Sequence, residues 1–181
     1  SGDQVIMDGA YSSNNPSNTF EVRWADGAIW TANALDQRAV RVINGTTGND
    51  TLVGSPGMDL IDGKGGNDLI EGGGGNDTFV FNAGYGHLDI NESYTSSQSP
   101  TLQLGTGITT ANFSVMSDGT NLYLTDGTSG DQITLDSAAS QSGSDGVWNV
   151  TFTDGTLLYA TDLIQMAGKF INGTTGSDTL T

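Results

Sequence analysis

The sequence predicts an all-β chain in which a parallel β-roll is joined to a small antiparallel β-hairpin subdomain. Three observations carry this. From Gly45 to Val80 the chain reads GTTGNDTLV, GSPGMDLID, GKGGNDLIE, GGGGNDTFV, four contiguous nine-residue units with Gly at positions one and four, Asp at six and an apolar residue at eight. Beyond residue 91 that period gives way to alternating apolar stretches separated by Asp-Gly and Ser-Asp-Gly turns. Finally, Ser1–Val53 aligns without a gap to Ser129–Thr181, at an offset of 128, with 23 of 53 positions identical.

The nine-residue unit has its own physical logic. Glycines at its start let the backbone turn tightly with positive φ, and the last three residues, such as Thr51-Leu52-Val53, favour a short strand. If every turn reverses direction, strands alternate between two parallel sheets, and units 18 residues apart stack at about 4.8 Å. Leu52 then lies over Ile70 and Ile61 over Phe79. A core one residue thick cannot by itself offset roughly 1–2 kcal/mol of backbone entropy per ordered residue. The same stacking sets Asp50 beside Asp68 on one edge and Asp59 beside Asp77 on the other. Paired carboxylates among turn carbonyls make a hard, oxygen-only site suited to Ca²⁺, which turns their repulsion into coordination. Composition alone would also allow a disordered Gly/Asp linker; the strict register of Leu52, Ile61, Ile70 and Phe79 argues against it.

These units resemble the G-G-x-G-x-D-x-U-x nonapeptide of RTX proteins, a secreted calcium-binding family. The resemblance implies that each Ca²⁺ lies between turns two units apart, held by two carbonyls and the aspartate of each. Carried over, it implies one site from Thr46, Gly48, Asp50, Gly63, Gly65 and Asp68, and a second from Ser55, Gly57, Asp59, Gly72, Gly74 and Asp77. The next turn, FNAGYGHLDI from Phe81 to Ile90, resembles the G-Y-G-H-D-T-I ending of such rolls, but its acid, Asp89, comes one place late. A third site would draw on Lys64, Gly66 and Asp68 with Phe81, Ala83 and Asp89. The segment after it resembles, more loosely, the hemolysin-type calcium-binding related region that follows many such rolls.

Composition limits the partners. Of 181 residues, 21 are acidic and five basic, for a net charge of −16, with 27 glycines and no cysteine. Such a surface repels nucleic acid and anionic lipid. No apolar run approaches the ~20 residues of a membrane span. Without disulfides, metal is the available staple for a secreted chain. The sequence opens at Ser1 and ends at Thr181 within a repeat unit, so it reads as a piece of a longer protein.

The internal copy divides it: 1–43 as the antiparallel back half of one module, 44–90 as the roll, 91–171 as the antiparallel subdomain of the same module, and 172–181 as the first turn of the next roll. Within 91–171, strands are expected around a turn at Ser117-Asp118-Gly119, over Asp131–Asp136, and on either side of Asp154-Gly155. Trp148, Val150 and Phe152 share one face, as do their counterparts Phe20, Val22 and Trp24. Thr161-Asp162-Leu163-Ile164 starts a short helix, with Thr161 or Asp162 as N-cap.

Catalytic motifs are absent. His87 is the sole histidine, there is no cysteine, and a carboxylate pair means little among 21 acids. The tryptophans could form a sugar-stacking platform, but Trp24 and Trp148 keep the apolar register of a core. The Asn-Asp-Thr sequons at Asn49 and Asn76 are by-products of the repeat. The expectation is a non-enzymatic, calcium-loaded module of a large bacterial protein, extracellular or at the cell surface, repeated in tandem as a spacer or scaffold. Its partners are calcium and neighbouring modules, and the resemblance implies export by a type I route. Two alternatives are a C-terminal calcium domain of a secreted enzyme and a self-assembling filament or surface-layer subunit.

Overall fold

The structure, a computed structural model, describes residues 21–23, 25–31, 39–92, 98–139 and 148–169. It divides into two units, 1–39 and 40–181. In the first, β1 (Glu21–Arg23) and β2 (Ile29–Thr31) pair as an antiparallel hairpin, Val22 opposite Trp30. Phe20 and Trp24 lie outside the described residues.

In the second unit the nonapeptides form the expected roll. The strands β3 (Arg41–Asn44), β5 (Asp59–Asp62) and β7 (Thr78–Phe81) stack in parallel on one side, and β4 (Thr51–Val53), β6 (Gly66–Glu71) and β8 (Gly86–Asn91) on the other. Leu52 pairs with Ile70 and Ile61 with Phe79, the register that the nine-residue period demands. Because strand side chains alternate between faces, every second residue enters the interior; Ile61, Ile70, Phe79 and Ile90 are fully buried there. Pairing begins at Arg41, ahead of the expected start at residue 44, because Val42 and Ile43 align with Leu60 and Ile61.

The expected hairpins follow. A meander of β10 (Ser114–Ser117), β11 (Leu122–Thr125) and β12 (Gln132–Leu135) is antiparallel throughout, as is the hairpin of β13 (Asn149–Thr151) and β14 (Leu157–Tyr159). Their attachment to the roll is parallel. β9 (Thr101–Leu104) lies beside β7, β13 lies beside β9, and β12 lies beside β8. The roll and the hairpins therefore share two continuous sheets, of six and seven strands.

That continuity supplies core that the repeat alone lacks. Trp148, Val150 and Phe152 are all buried, as their shared face predicts. The Trp148 ring stands 5.6 Å from that of Phe79, joining hairpin to roll, and Phe113 meets Phe152 edge-on at 5.3 Å. The short helix α1 (Ala160–Met166) is anchored by buried Leu163. Its N-cap is Tyr159, not Thr161 or Asp162. Asp162 occupies the third helical position, and its carboxylate reaches back to accept the Tyr159 N–H at 2.9 Å. After α1, β15 (Gly168–Lys169) runs parallel to β10. The expected roll start at 172–181 lies outside the described residues.

Candidate metal centre

The aspartates at position six divide two tasks: Asp50 and Asp59 close their own turns, and Asp68 and Asp77 receive the turns stacked on them. Asp50 Oδ2 accepts the Thr46 N–H at 2.7 Å and its hydroxyl at 2.9 Å, and Asp59 Oδ2 accepts the same pair from Ser55, at 2.5 and 3.0 Å. Thr and Ser at position two, where the consensus prefers glycine, thus add a hydroxyl bond to each turn. Between turns, the Asp50 N–H donates to Asp68 Oδ1 at 3.0 Å, and the Asp59 N–H to Asp77 Oδ1 at 2.8 Å. Position five is used in the same way, with Asn49 Oδ1 accepting the Asn67 N–H at 2.9 Å.

Several expected carbonyl ligands converge on these carboxylates. A Cβ placed on Gly45 would come within 2.6 Å of the Gly63 carbonyl oxygen and 2.9 Å of Asp50 Oδ2. One placed on Gly54 would collide with the Gly72 carbonyl and lie 2.9 Å from Asp59 Oδ2. One on Gly75 would strike the Gly57 carbonyl and lie 3.1 Å from Asp77 Oδ1. Glycine leaves these spaces open, and the oxygens facing them belong to carboxylates and turn carbonyls.

The second edge gives the sharper test of fit. Asp59 and Asp77 are each 1% exposed, and Asp59 Oδ1 and Asp77 Oδ2 have no hydrogen-bond partner. A buried carboxylate oxygen without a partner is costly. Burial is the main reason that the Asp77 carboxyl is pushed up to about 6; the Asp59 N–H opposes the rise, and the Asp59 charge adds to it. Asp68 is likewise raised by burial, with the charges of Asp50 and Asp62 adding and the Asp50 N–H opposing. A hard divalent cation relieves both costs, and the all-oxygen donor set suits Ca²⁺. Among the described residues no three His, Cys, Asp or Glu side chains group as they would around a metal ion, so backbone oxygens would have to complete any site built on these acid pairs.

Around the fifth turn the geometry differs from expectation. In the β6–β8 ladder Asp68 aligns with Leu88, and Asp89 aligns with Leu69. Leu88 and Ile90 point into the core, so Asp89 is on the opposite face from Asp68. Its acid comes one place late, and one place flips a strand side chain. The Phe81 carbonyl is engaged by the Gly105 N–H at 2.8 Å, and Phe81 still belongs to β7 rather than to a turn. Of the residues expected there, Lys64 and Phe81 line one small cavity with Asp68, whereas Asp89 is not brought to it. Instead Asp131, on the meander, closes this edge, its two oxygens accepting the N–H groups of Gly84 and Gly86 at 2.6 and 3.0 Å.

Sequence reasoning missed Asp131 and Glu92, both 7% exposed. Asp131 stands opposite Gly86 only because β12 joins β8 in parallel, a long-range pairing. Glu92 directly follows the end of β8, and its Oε1 accepts the Gly74 N–H at 3.0 Å. His87 is half-buried with Nε2 3.3 Å from Thr134 Oγ1, a structural setting.

Fold and site together define a calcium-binding parallel β-roll. A family model described as the RTX calcium-binding nonapeptide repeat matches residues 42–63 and 53–88, in four copies. The chain carries an RTX-type repeat block, and RTX nonapeptide repeats bind calcium. No curated protein matches the chain.

Proposed function

We propose that the chain is a tandemly repeated, non-catalytic spacer, stiffened by calcium, from a secreted adhesin-like protein. The observation that carries this reading is a repeated hairpin. β1 and β2 pair Glu21 with Thr31 and Val22 with Trp30, while β13 and β14 pair Asn149 with Tyr159 and Val150 with Leu158, each residue 128 beyond its counterpart. The turns agree as well. Gly27 and Gly155 both take φ of 87°, and Asp26 and Asp154 each accept the N–H two residues on, at 2.9 and 2.8 Å.

The junction supports stiffness. Lys169 in β15 is bound to the meander through β10, and its counterpart at the same offset, Arg41, begins β3, the first strand of a roll. The two positions are equivalent at the 128-residue offset, and no Pro- or Ser-rich spacer follows either of them. Among the described residues no helix is long and apolar enough to cross a membrane. Export through a type I route fits a chain that remains unfolded at low cytosolic calcium and folds outside. Bound calcium contributes RT ln(1 + [L]/Kd), or ~1.4 kcal/mol per site at ten times Kd. Small-angle scattering on chains of one, two and three modules tests the reading. In calcium the maximum dimension is expected to grow in proportion to module number. Dimensions of flexibly linked beads, the same with and without calcium, would remove the basis for a spacer.

A further inference from the structure

Glu92 lies outside both the nonapeptide block and the family match, yet its carboxylate reaches back into the last turn of the second edge. Its position in the stack explains how. The Gly54 N–H bonds the Glu71 carbonyl and the Gly72 N–H bonds the Asn91 carbonyl, so Gly54, Gly72 and Glu92 are successive members of one column. Where a further nonapeptide would begin with glycine, this chain has an acid. Its Oε2 occupies the space that a Cβ on Gly72 would need, so only glycine at residue 72 admits it.

The surroundings of that carboxylate are incomplete. Glu92 is 7% exposed, Oε1 accepts the Gly74 N–H, and Oε2 is buried without a partner. In the same turn, Asp77 Oδ2 is buried and unpartnered too, and the charge of Asp77 acts on Glu92. Asp59 adds a third negative charge to the column. Asp131, which closes the other edge, has N–H donors on both oxygens and so needs nothing more. Two adjacent acceptor-only oxygens away from water require either a shared proton or a cation.

We propose a further Ca²⁺ site between Asp77 and Glu92, with carbonyls of the 72–77 turn completing its oxygen shell. Asp77 then bridges two ions, one shared with Asp59 and one with Glu92, and the second edge carries one more ion than the first. The inference rests on the calcium-binding reading of the roll and extends it past the repeat, since a glutamate contributed by the following loop closes the ladder.

The test uses the full 181-residue chain and calcium alone. Native mass spectrometry at saturating calcium counts ions on the wild type and on Glu92→Gln, which keeps an oxygen for the Gly74 N–H. Three ions on the wild type are expected, against two on the variant, with calorimetric titration losing one equivalent in parallel. Circular dichroism in calcium establishes that the variant is folded. Should it not fold, the wild-type count still decides, because two ions would overturn the site. Equal counts on both proteins, with Glu92→Gln more stable than the wild type in chelator, would identify a shared proton and also overturn it. No calcium on the wild type would instead refute the calcium reading of the whole roll.

Discussion

The backbone N–H of Asp59 donates to Oδ1 of Asp77 at 2.8 Å, while the second oxygen of each carboxylate is buried without a partner. The pair is thus held by the stacking of two turns and left electrostatically unbalanced. Replacing Asp59 with Asn is expected to move stability in opposite directions with and without the ion. In chelator the variant should equal or exceed the wild type, because a buried like charge is gone. In calcium at ten times Kd it should lose about 1.4 kcal/mol, the contribution of one site. Urea denaturation under both conditions checks this. A parallel loss in both would mean that Asp59 acts only through its hydrogen bonds.

Asp131 provides a contrast, since both its oxygens accept N–H groups whereas Asp59 and Asp77 each keep one buried oxygen without a partner. Asp131→Ala leaves the Gly84 and Gly86 donors without their acceptor and is expected to cost about 1–3 kcal/mol. Its calcium equivalents, measured by titration calorimetry, should match the wild type. Loss of an equivalent would place an ion against Asp131 itself, which its satisfied hydrogen bonds do not call for.

Phe79 packs on Trp148, so the hairpin depends on the roll for its burial. Phe79→Ala is expected to cost about 3–5 kcal/mol. Tryptophan emission recorded in saturating calcium should shift to the red as Trp148, only 1% exposed in the native protein, meets water. Unchanged emission with lowered stability would show that the two parts fold without each other.

Two glycines separate turn stacking from turn geometry. Gly66 has φ of 119° and a Cβ there would lie 2.6 Å from the Gly48 carbonyl carbon, whereas Gly119 has φ of 94° with nothing within 4 Å. Gly119→Ala should therefore cost only the left-handed strain, roughly 1–2 kcal/mol. Gly66→Ala must also push two turns apart and should lower the melting temperature further and raise the calcium midpoint. Melting curves across a calcium series compare them, and equal effects would mean that the turns are not in contact.

Much of this was legible in sequence because the nonapeptide is a local code. Glycine and aspartate positions set each turn, and the period places Leu52 on Ile70 and Asp59 on Asp77 without knowledge of any distant contact. The hairpins were legible for the same reason, their turn residues being adjacent in the chain. Asp89 emerges on the face opposite Asp68 because the fifth turn abandons the period, after which counting no longer gives the face on which a side chain emerges.

The sequence by itself determined the roll, its register, the paired aspartates and the 128-residue copy, all properties of a repeated local unit. Only the tertiary structure decided how the roll ends. The parallel docking of β12 on β8 brings Asp131 onto Gly84 and Gly86 from 47 and 45 residues away, and the path of the chain after β8 folds Glu92 back onto Gly74, 18 residues earlier. Neither residue belongs to a repeat. Their roles depend on which strands become neighbours, a choice made by burial of Leu88, Ile90, Ile133 and Leu135 in one shared core, and burial of that kind leaves no spacing in the sequence to be counted.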